Sequence, residues 1–519
     1  MKKLIITQLL ITYIFCLQVL KHQCVHDKMK KIYNYESIPP DKEPLDNRNL
    51  QNKKPRNMEI SYDMDYFKKL PSNDKNKLLT EACEKTVQLA IEFFSQLIKI
   101  VPKSESNMRY KPASQQQCGQ VVIPQIDKVQ GKISDLHIYV QYKIEPEDEY
   151  LAYAGWCQFL DGLGPTHGEI TFNLGQLTTS NFNDPIEFKD LMEVVIHEII
   201  HILGFNETDI PKWVDSNKSY YTQPTIKKKI RGKDTILLKT PNVLKFAQAY
   251  YSCPTLPGMP LENLGEQGSK GSHWKYTAIE NEYMNAFTST TQAYFSGFTT
   301  NLLRDTGFYH QINNSMEENI FYGKGAGCDH IIGKCDLTKR EFCDPKKQNG
   351  LCDYYNLGPS KCMSNQFNEP GCNTLEIYKN AKCWDVKSNI NTKEIQDMQG
   401  VKFGVESGCF NSNILKEDPK NKKIQVLGCC YKYECSSNGQ QVTIWVGSKK
   451  VVCTKNLENM SVKGYTGQIQ CPENIALFCG FKKFCPNFCS GNGYCLNGKC
   501  QCSKKYFGQD CGKKNPFKF

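Results

Sequence analysis

Histidine is scarce in this chain, with nine among 519 residues, and tryptophan is scarcer, with five. Beyond the first twenty or so positions no stretch is apolar enough to span a bilayer, which excludes a bundle of spanning helices. The tail from Gly512 to Phe519 is too polar for a glycolipid-anchor signal, so no such anchor is expected. The net charge of +11 is not gathered into a basic stripe. It comes from scattered lysines without any nucleic-acid motif, and nucleic acid is not expected as a partner. Scarcity also gives weight to placement. With so few histidines, H-E-x-x-H arises by chance in about one such chain in a hundred, and here it stands at His197-Glu198-Ile199-Ile200-His201.

The stretch from Phe188 to Phe205 carries an apolar pattern on Leu191, Val194, Val195, Ile199, Ile202 and Leu203. That spacing predicts a mostly buried helix, with Gly204 free to end it in a left-handed conformation. On a helix, His197 and His201 point to one side and can direct ring nitrogens at one tetrahedral Zn²⁺, with Glu198 beside the metal's open position. Zinc lowers the pKa of bound water from about 15.7 to about 7, and Glu198 is the candidate general base that takes its proton. A third ligand is needed. Many metzincin peptidases place it three residues after the glycine, where this chain has Glu207. A carboxylate can ligate zinc, so Glu207 and Asp209 stand as alternatives to a histidine further on.

Cysteine, at 26 residues, is abundant, and most of it follows Cys328. Such a density belongs to an oxidising compartment, and a chain of this length is expected to divide into two to four units. Lys2 and Lys3 precede an apolar run from Leu4 to about Leu20, the form of a signal peptide cut between Cys16 and Gln23. A secreted or lumenal protein follows, with membrane association the alternative if that segment is retained. Sequons at Asn206, Asn217, Asn313 and Asn459 are permitted glycosylation sites. Residues 23–55 are polar, proline-punctuated and poor in anything to bury, and read as a removable pro-segment or a linker. Removing Cys16 with the signal leaves 25 cysteines, an odd number, and Cys24 is the candidate odd one. Its thiolate could take the open zinc position and hold the enzyme inactive until the segment is cut away.

Between residues 56 and 190 the pattern is mixed α and β. A helix is predicted over Lys77 to Val101, and strands over Leu136 to Ile144, Leu151 to Leu160 and Gly168 to Leu174. Cys118 and Cys157 could staple this region, and His137 and His167 read as structural or surface histidines.

Downstream stand Gly271-Ser272-His273-Trp274 and Asn281-Glu282-Tyr283-Met284. H-E-I-I-H-I-L-G-F (197 to 205), L-E-N-L-G (261 to 265), G-S-H-W-K (271 to 275) and N-E-Y-M (281 to 284), with W-C-Q-F and D-G-L-G-P (156 to 165) and H-Q-C-V-H-D (22 to 27), resemble the leishmanolysin-like metallopeptidases. The resemblance covers roughly residues 22 to 370. It implies a metzincin-type peptidase of two subdomains, with an insertion before the third ligand and a methionine turn beneath a single Zn²⁺. His273 becomes the third ligand and Met284 the turn methionine. The implied activity is endoproteolysis of protein or peptide substrates by a latent proenzyme, with substrate extended along an edge strand near Tyr153 to Phe159.

A helix is expected over Thr299 to Tyr309, and Cys253 is expected to pair with a cysteine of the ladder that follows F-Y-G-K-G-A-G-C (321 to 328), its partner unassigned; Cys83 is likewise unassigned. Short apolar segments such as Ile424 to Leu427 and Gln441 to Val446 suggest a β-rich, disulfide-held region, in which the adjacent Cys429 and Cys430 should have different partners. Near the end, C-x3-C-x5-C-x4-C-x-C-x8-C resembles an EGF-like module. That likeness implies pairing of Cys485 with Cys495, Cys489 with Cys500, and Cys502 with Cys511, and a cell-surface or matrix partner. Lys482 and Lys483 stand where a calcium-binding version would want acid, so no calcium is expected.

The expected class is α+β: a catalytic part (56–205, then 206–325 with the insertion, third ligand and Met-turn), a Cys-rich, mostly β region (326–480), and the EGF-like module (481–512). The competing class is a catalytically inactive adhesion protein whose working part is that module. Oligomeric state is left open.

Overall fold

The computed structural model describes residues 22–33, 35–41, 54–111, 115–265, 269–287, 293–388, 390, 392–416, 425–481 and 484–516, apart from the side chains at 27, 30 and 31. The signal-peptide reading, part of the pro-segment and Lys482 and Lys483 lie outside them. Among the described residues no helix is long and apolar enough to cross a membrane.

The chain is α+β. A short helix α1 (His26–Tyr33) leads from the N-terminal segment. Strand β1 (Ile60–Asp63), helix α2 (Asp74–Leu97), strands β2 (Leu136–Lys143), β3 (Ala152–Leu160) and β4 (Gly164–Asn173), and helix α3 (Pro185–Ile202) follow. The sheet runs β1-β2-β4-β3. Strand β2 is parallel to both β1 and β4, and β3 returns antiparallel to β4 at the edge. The central strand β4 is buried along its whole length, as expected for a strand covered on both faces. Around Cys157 the β3–β4 register slips, and the sulfur there joins Cys118 across the sheet face.

Helix α2 is capped by Asn73, whose side chain accepts from Asn76 N. It stops four residues short of the expected Val101, because Ile98-Lys99-Ile100 alternates into a strand that pairs with Arg56–Asn57 and Gln311–Ile312. Helix α3 opens on Asp184, whose carboxylate accepts from Ile186 N, with Pro185 preset for the first turn. From Leu191 to Ile202 every residue is buried, because the helix lies between the sheet and α2. Gly204 follows at φ 119, a conformation that L side chains avoid.

Beyond α3, a hairpin of β5 (Thr225–Ile230) and β6 (Lys233–Leu238) and helix α4 (Pro241–Tyr250) occupy the stretch between Gly204 and His273, where the insertion is expected. Helix α5 (Gly297–Asp305) begins two residues before the expected Thr299, where Ser296 caps it, and ends four before Tyr309 as Gly307 turns the chain at φ 74. The later region is a six-stranded antiparallel sheet centred on β7 (Ser407–Ser412), β8 (Leu427–Cys435) and β9 (Val442–Val446).

Eleven disulfides are present among the described residues, ten of them involving cysteines from Cys328 onward. Cys253 joins Cys328, which ties the insertion to the head of the ladder. Cys430 bonds Cys383, whereas its neighbour Cys429 remains a thiol that burial pushes up to about 12. The expectation of two bonded neighbours is therefore corrected: successive residues of β8 face opposite sides, and only Cys430 faces Cys383. Cys83, inside α2, is also a buried thiol. The terminal cysteines pair as Cys485–Cys495, Cys489–Cys500 and Cys502–Cys511.

Candidate active site

The second half of α3 presents His197 and His201 one turn apart, and a loop after the insertion brings His273 to them. Each imidazole is fixed by a backbone carbonyl. His197 Nδ1 donates to Tyr283 O (2.6 Å), His201 Nδ1 to Phe205 O (2.7 Å) and His273 Nδ1 to Ser269 O (2.9 Å). A carbonyl only accepts, so each Nδ1 carries the proton and each Nε2 keeps its lone pair. His197 Nε2 and His201 Nε2 are 3.1 Å apart, and Cys24 Sγ is 3.4 Å from His201 Nε2. Donor atoms of Cys24, His197, His201 and His273 all lie within 4.8 Å of one another. Burial drives the pKa of all three imidazoles down, and their mutual proximity adds to it at His201 and His273. Neutral rings are the form that binds metal.

Neither carboxylate weighed as a third ligand joins this group. Glu207 packs on Gly271, where an added Cβ would stand 2.6 Å from Glu207 Oε2, and its N–H donates to Ser272 Oγ at 3.0 Å. Asp209 accepts from Trp156 Nε1 at 2.7 Å and lies 3.5 Å from Lys212 Nζ. Gly271, at φ 85, lets the loop close over Glu207 so that His273 arrives from the other side.

Glu198 is fully buried, and that burial pushes its carboxyl up to about 7, against the pull of His197 and of the Ala154 N–H that donates to Oε2 at 2.9 Å. Its other oxygen is 3.3 Å from His22 Nε2. Burial holds His22 neutral down to about pH 3, so the contact is not an ion pair.

Met284 is fully buried in the turn that supplies the Tyr283 carbonyl, and its own carbonyl accepts from Trp274 N at 2.9 Å. The residue that builds this turn is Glu282, which no motif spacing singles out. Glu282 accepts from Met284 N (2.5 Å), Ser296 Oγ (2.8 Å) and Thr299 Oγ1 (2.6 Å), tying the turn to the start of α5. The signal the sequence offers is an acid two residues before the methionine in N-E-Y-M.

The N-terminal segment lies in the cleft. Cys24 N donates to Ala286 O at 3.2 Å and Gln23 N to Glu149 O at 3.1 Å; further on, Ile38 forms a parallel bridge with Leu160 at the end of β3. Between them the His26 ring stacks on His201 at 4.2 Å and 10°. Met29 packs with Tyr150 and Tyr153. Asn206, read as a permitted glycosylation site, is fully buried here with its side chain hydrogen-bonded, so a glycan has no room at that position.

A profile of the leishmanolysin peptidase family matches residues 69–371, more than half of the chain. The chain belongs to the leishmanolysin family. This leishmanolysin-family chain is also similar to the ciliated left-right organizer metallopeptidase of Mus musculus (27% identity over 376 residues, 68% of this chain and 52% of the mouse protein). A leishmanolysin-like peptidase of Caenorhabditis briggsae is 31% identical over 447 residues, 66% of this chain and 64% of the relative. A leishmanolysin homolog of Crithidia fasciculata is 27% identical over 256 residues, 47% and 36% respectively. The chain thus spans about half the length of the mouse relative and under two thirds of the other two. Leishmanolysins are zinc metallopeptidases, and the histidine cluster of this member could hold a metal.

Proposed function

We propose that this protein is a secreted zinc-dependent endopeptidase, made as a latent proenzyme, that hydrolyses peptide bonds of protein substrates. The observation that carries the reading is the convergence of His197, His201 and His273 with Glu198 alongside. The donor set suits Zn²⁺: three neutral imidazoles with Nδ1 already committed, and in His273 a buried Nε2 with no hydrogen-bond partner among the described residues. When bound, zinc supplies the Lewis acidity that acidifies water and polarises the scissile carbonyl. Glu198 takes the proton of the attacking water and passes it to the leaving nitrogen. The Ala154 N–H steadies its carboxylate through both transfers. Met284 and the turn around it support the floor of the site through the Tyr283 carbonyl.

Latency is assigned to residues 23–55, with Cys24 as the inhibitory switch: its sulfur makes a fourth donor beside the three histidines. Edge strand β3, near Tyr153 to Phe159, is assigned to hold extended substrate. The N-terminal apolar run and the many disulfides support secretion, with residues 1–22 as the signal. The paired cysteines of 481–512 support an EGF-like module reaching a cell-surface or matrix partner.

The test is digestion of casein by protein from which the N-terminal segment has been removed. Cleavage is expected, and it should disappear in Glu198→Ala and in the presence of a chelator. Equal activity in Glu198→Ala would sink the mechanism, and no cleavage by the wild type would favour the adhesion class.

A further inference from the structure

The imidazole of His26 engages two groups of the cleft at once. Its Nδ1 donates to Ala154 O, and its Nε2 accepts from Asn206 Nδ2. Ala154 O can only accept, so the proton is on Nδ1, Nε2 is the acceptor, and Asn206 must face it with the amide nitrogen. A separate observation fixes the same orientation: Asn206 Oδ1 accepts from Thr208 N at 2.8 Å and from Thr208 Oγ1 at 2.7 Å. Both groups are set in rigid frames. Ala154 lies on edge strand β3, its N–H held by Glu198, and Asn206 is fully buried just past the end of α3. The ring between them stacks on His201, so the pair straddles the space beside the candidate metal ligands.

An imidazole of this tautomer offers one donor and one acceptor separated by a single carbon. The N–H and C=O of one peptide unit offer the same pairing across the same separation. We infer that Asn206 is a substrate-binding residue. Once the segment has left, one peptide unit of an extended polypeptide takes the place of His26, its N–H on Ala154 O and its C=O on Asn206 Nδ2. The contact reads backbone, so it serves substrates whatever their side chains. His26 copies the hydrogen bonds while its ring has no amide to cut. The inference rests on the peptidase reading above.

Asn206→Asp is the discriminating variant. It keeps the volume and the oxygen that Thr208 uses, and replaces the donor with an acceptor. In the activated enzyme kcat/KM is expected to fall about tenfold to a hundredfold on peptides of unrelated sequence, with zinc content and Tm unchanged. A synthetic peptide spanning residues 22–41, used as an inhibitor, should weaken in the same proportion. The same peptide with His26→Ala should inhibit wild type and Asn206→Asp equally. Thr208→Val, which removes a bond of the turn but leaves the donor, should stay within about twofold of wild type. If Asn206→Asp fails to accumulate, Asn206→Ala carries the same expectation. Unchanged kcat/KM and unchanged peptide inhibition, or losses that track loss of zinc, would overturn the assignment. Binding of uncut substrate peptide to Glu198→Gln, followed by fluorescence with and without Asn206→Asp, reads the contact without turnover. A wild type that cuts nothing would overturn the peptidase reading, while this binding comparison would still decide the role of Asn206.

Discussion

Each clustered histidine commits one nitrogen to a backbone carbonyl, and the three carbonyls come from three separate loops, at Phe205, Ser269 and Tyr283. Removing one ring should therefore cost metal more than fold. His273→Ala is expected to lose stoichiometric zinc and activity, whereas Glu207→Gln keeps both, as metal analysis of the purified variants would show. Retained zinc in His273→Ala would return the third-ligand role to a carboxylate. At the same scale, Cys24→Ala in the full-length chain should give proteolysis before the segment is cut. Its latency should be only partly lost, since His22 still stands over Glu198 and His26 over the edge strand. Unchanged latency in an activity time course would remove Cys24 as the switch. At this scale the pair on α3 was legible because one helical turn is a fixed spacing. His273 was not legible from spacing: the expected position holds Glu207, and the chain closes the site through an insertion whose length no local rule sets.

Elements were easier to read than their ends. The apolar run of α3 and those of β2, β3 and β4 follow directly from a helix enclosed between the sheet and α2. The ends were moved by caps and by tertiary pairing, as where Ile98-Lys99-Ile100 leaves α2 to join two distant segments. His137 and His167, on adjacent residues of β2 and β4, show what the sheet does to isolated histidines. Both are buried, with Nδ1 2.8 Å from Ser61 Oγ and 3.0 Å from Thr166 Oγ1 respectively. Burial, reinforced by Lys132, lowers their pKa to about 2 and about 3. The unfolded chain binds these protons near pH 6.5 and the native chain does not until near pH 3 or below, so stability rises with pH across that window. Acidifying from pH 6.5 to pH 3 is thus expected to destabilise the protein with a slope that includes about two protons. The double variant His137→Asn, His167→Asn should flatten that slope in urea titrations at several pH values. An unaltered slope would show that these histidines are already protonated in the native state.

Across the whole molecule, the last disulfide-rich segment is packed against α2 and against α3, the helix that carries His197 and His201. Tyr494 meets Phe93 of α2 edge to face at 5.3 Å, Lys85 Nζ donates to Asn492 Oδ1 at 2.7 Å, and Asn497 Nδ2 donates to Glu317 O at 3.2 Å. Gly491 lies on Phe188 near the start of α3. Cysteine spacing could suggest the small fold but not this docking, because the contact depends on Phe93, Phe188 and Tyr494, which lie far apart in the sequence and share one core only in the fold. A module joined only by a tether could be altered without consequence for the peptidase, whereas this one should contribute to its stability. Tyr494→Ala is expected to cost about 3–5 kcal/mol, the range for emptying a buried aromatic site. It should lower the temperature at which casein cleavage is lost together with the Tm of the whole chain. A variant that melts early in the terminal segment while cleavage survives to the wild-type temperature would show that the two parts fold independently. Full-length protein with the three terminal disulfides intact is the form in which to measure it, since those bonds hold the Tyr494 strand in place.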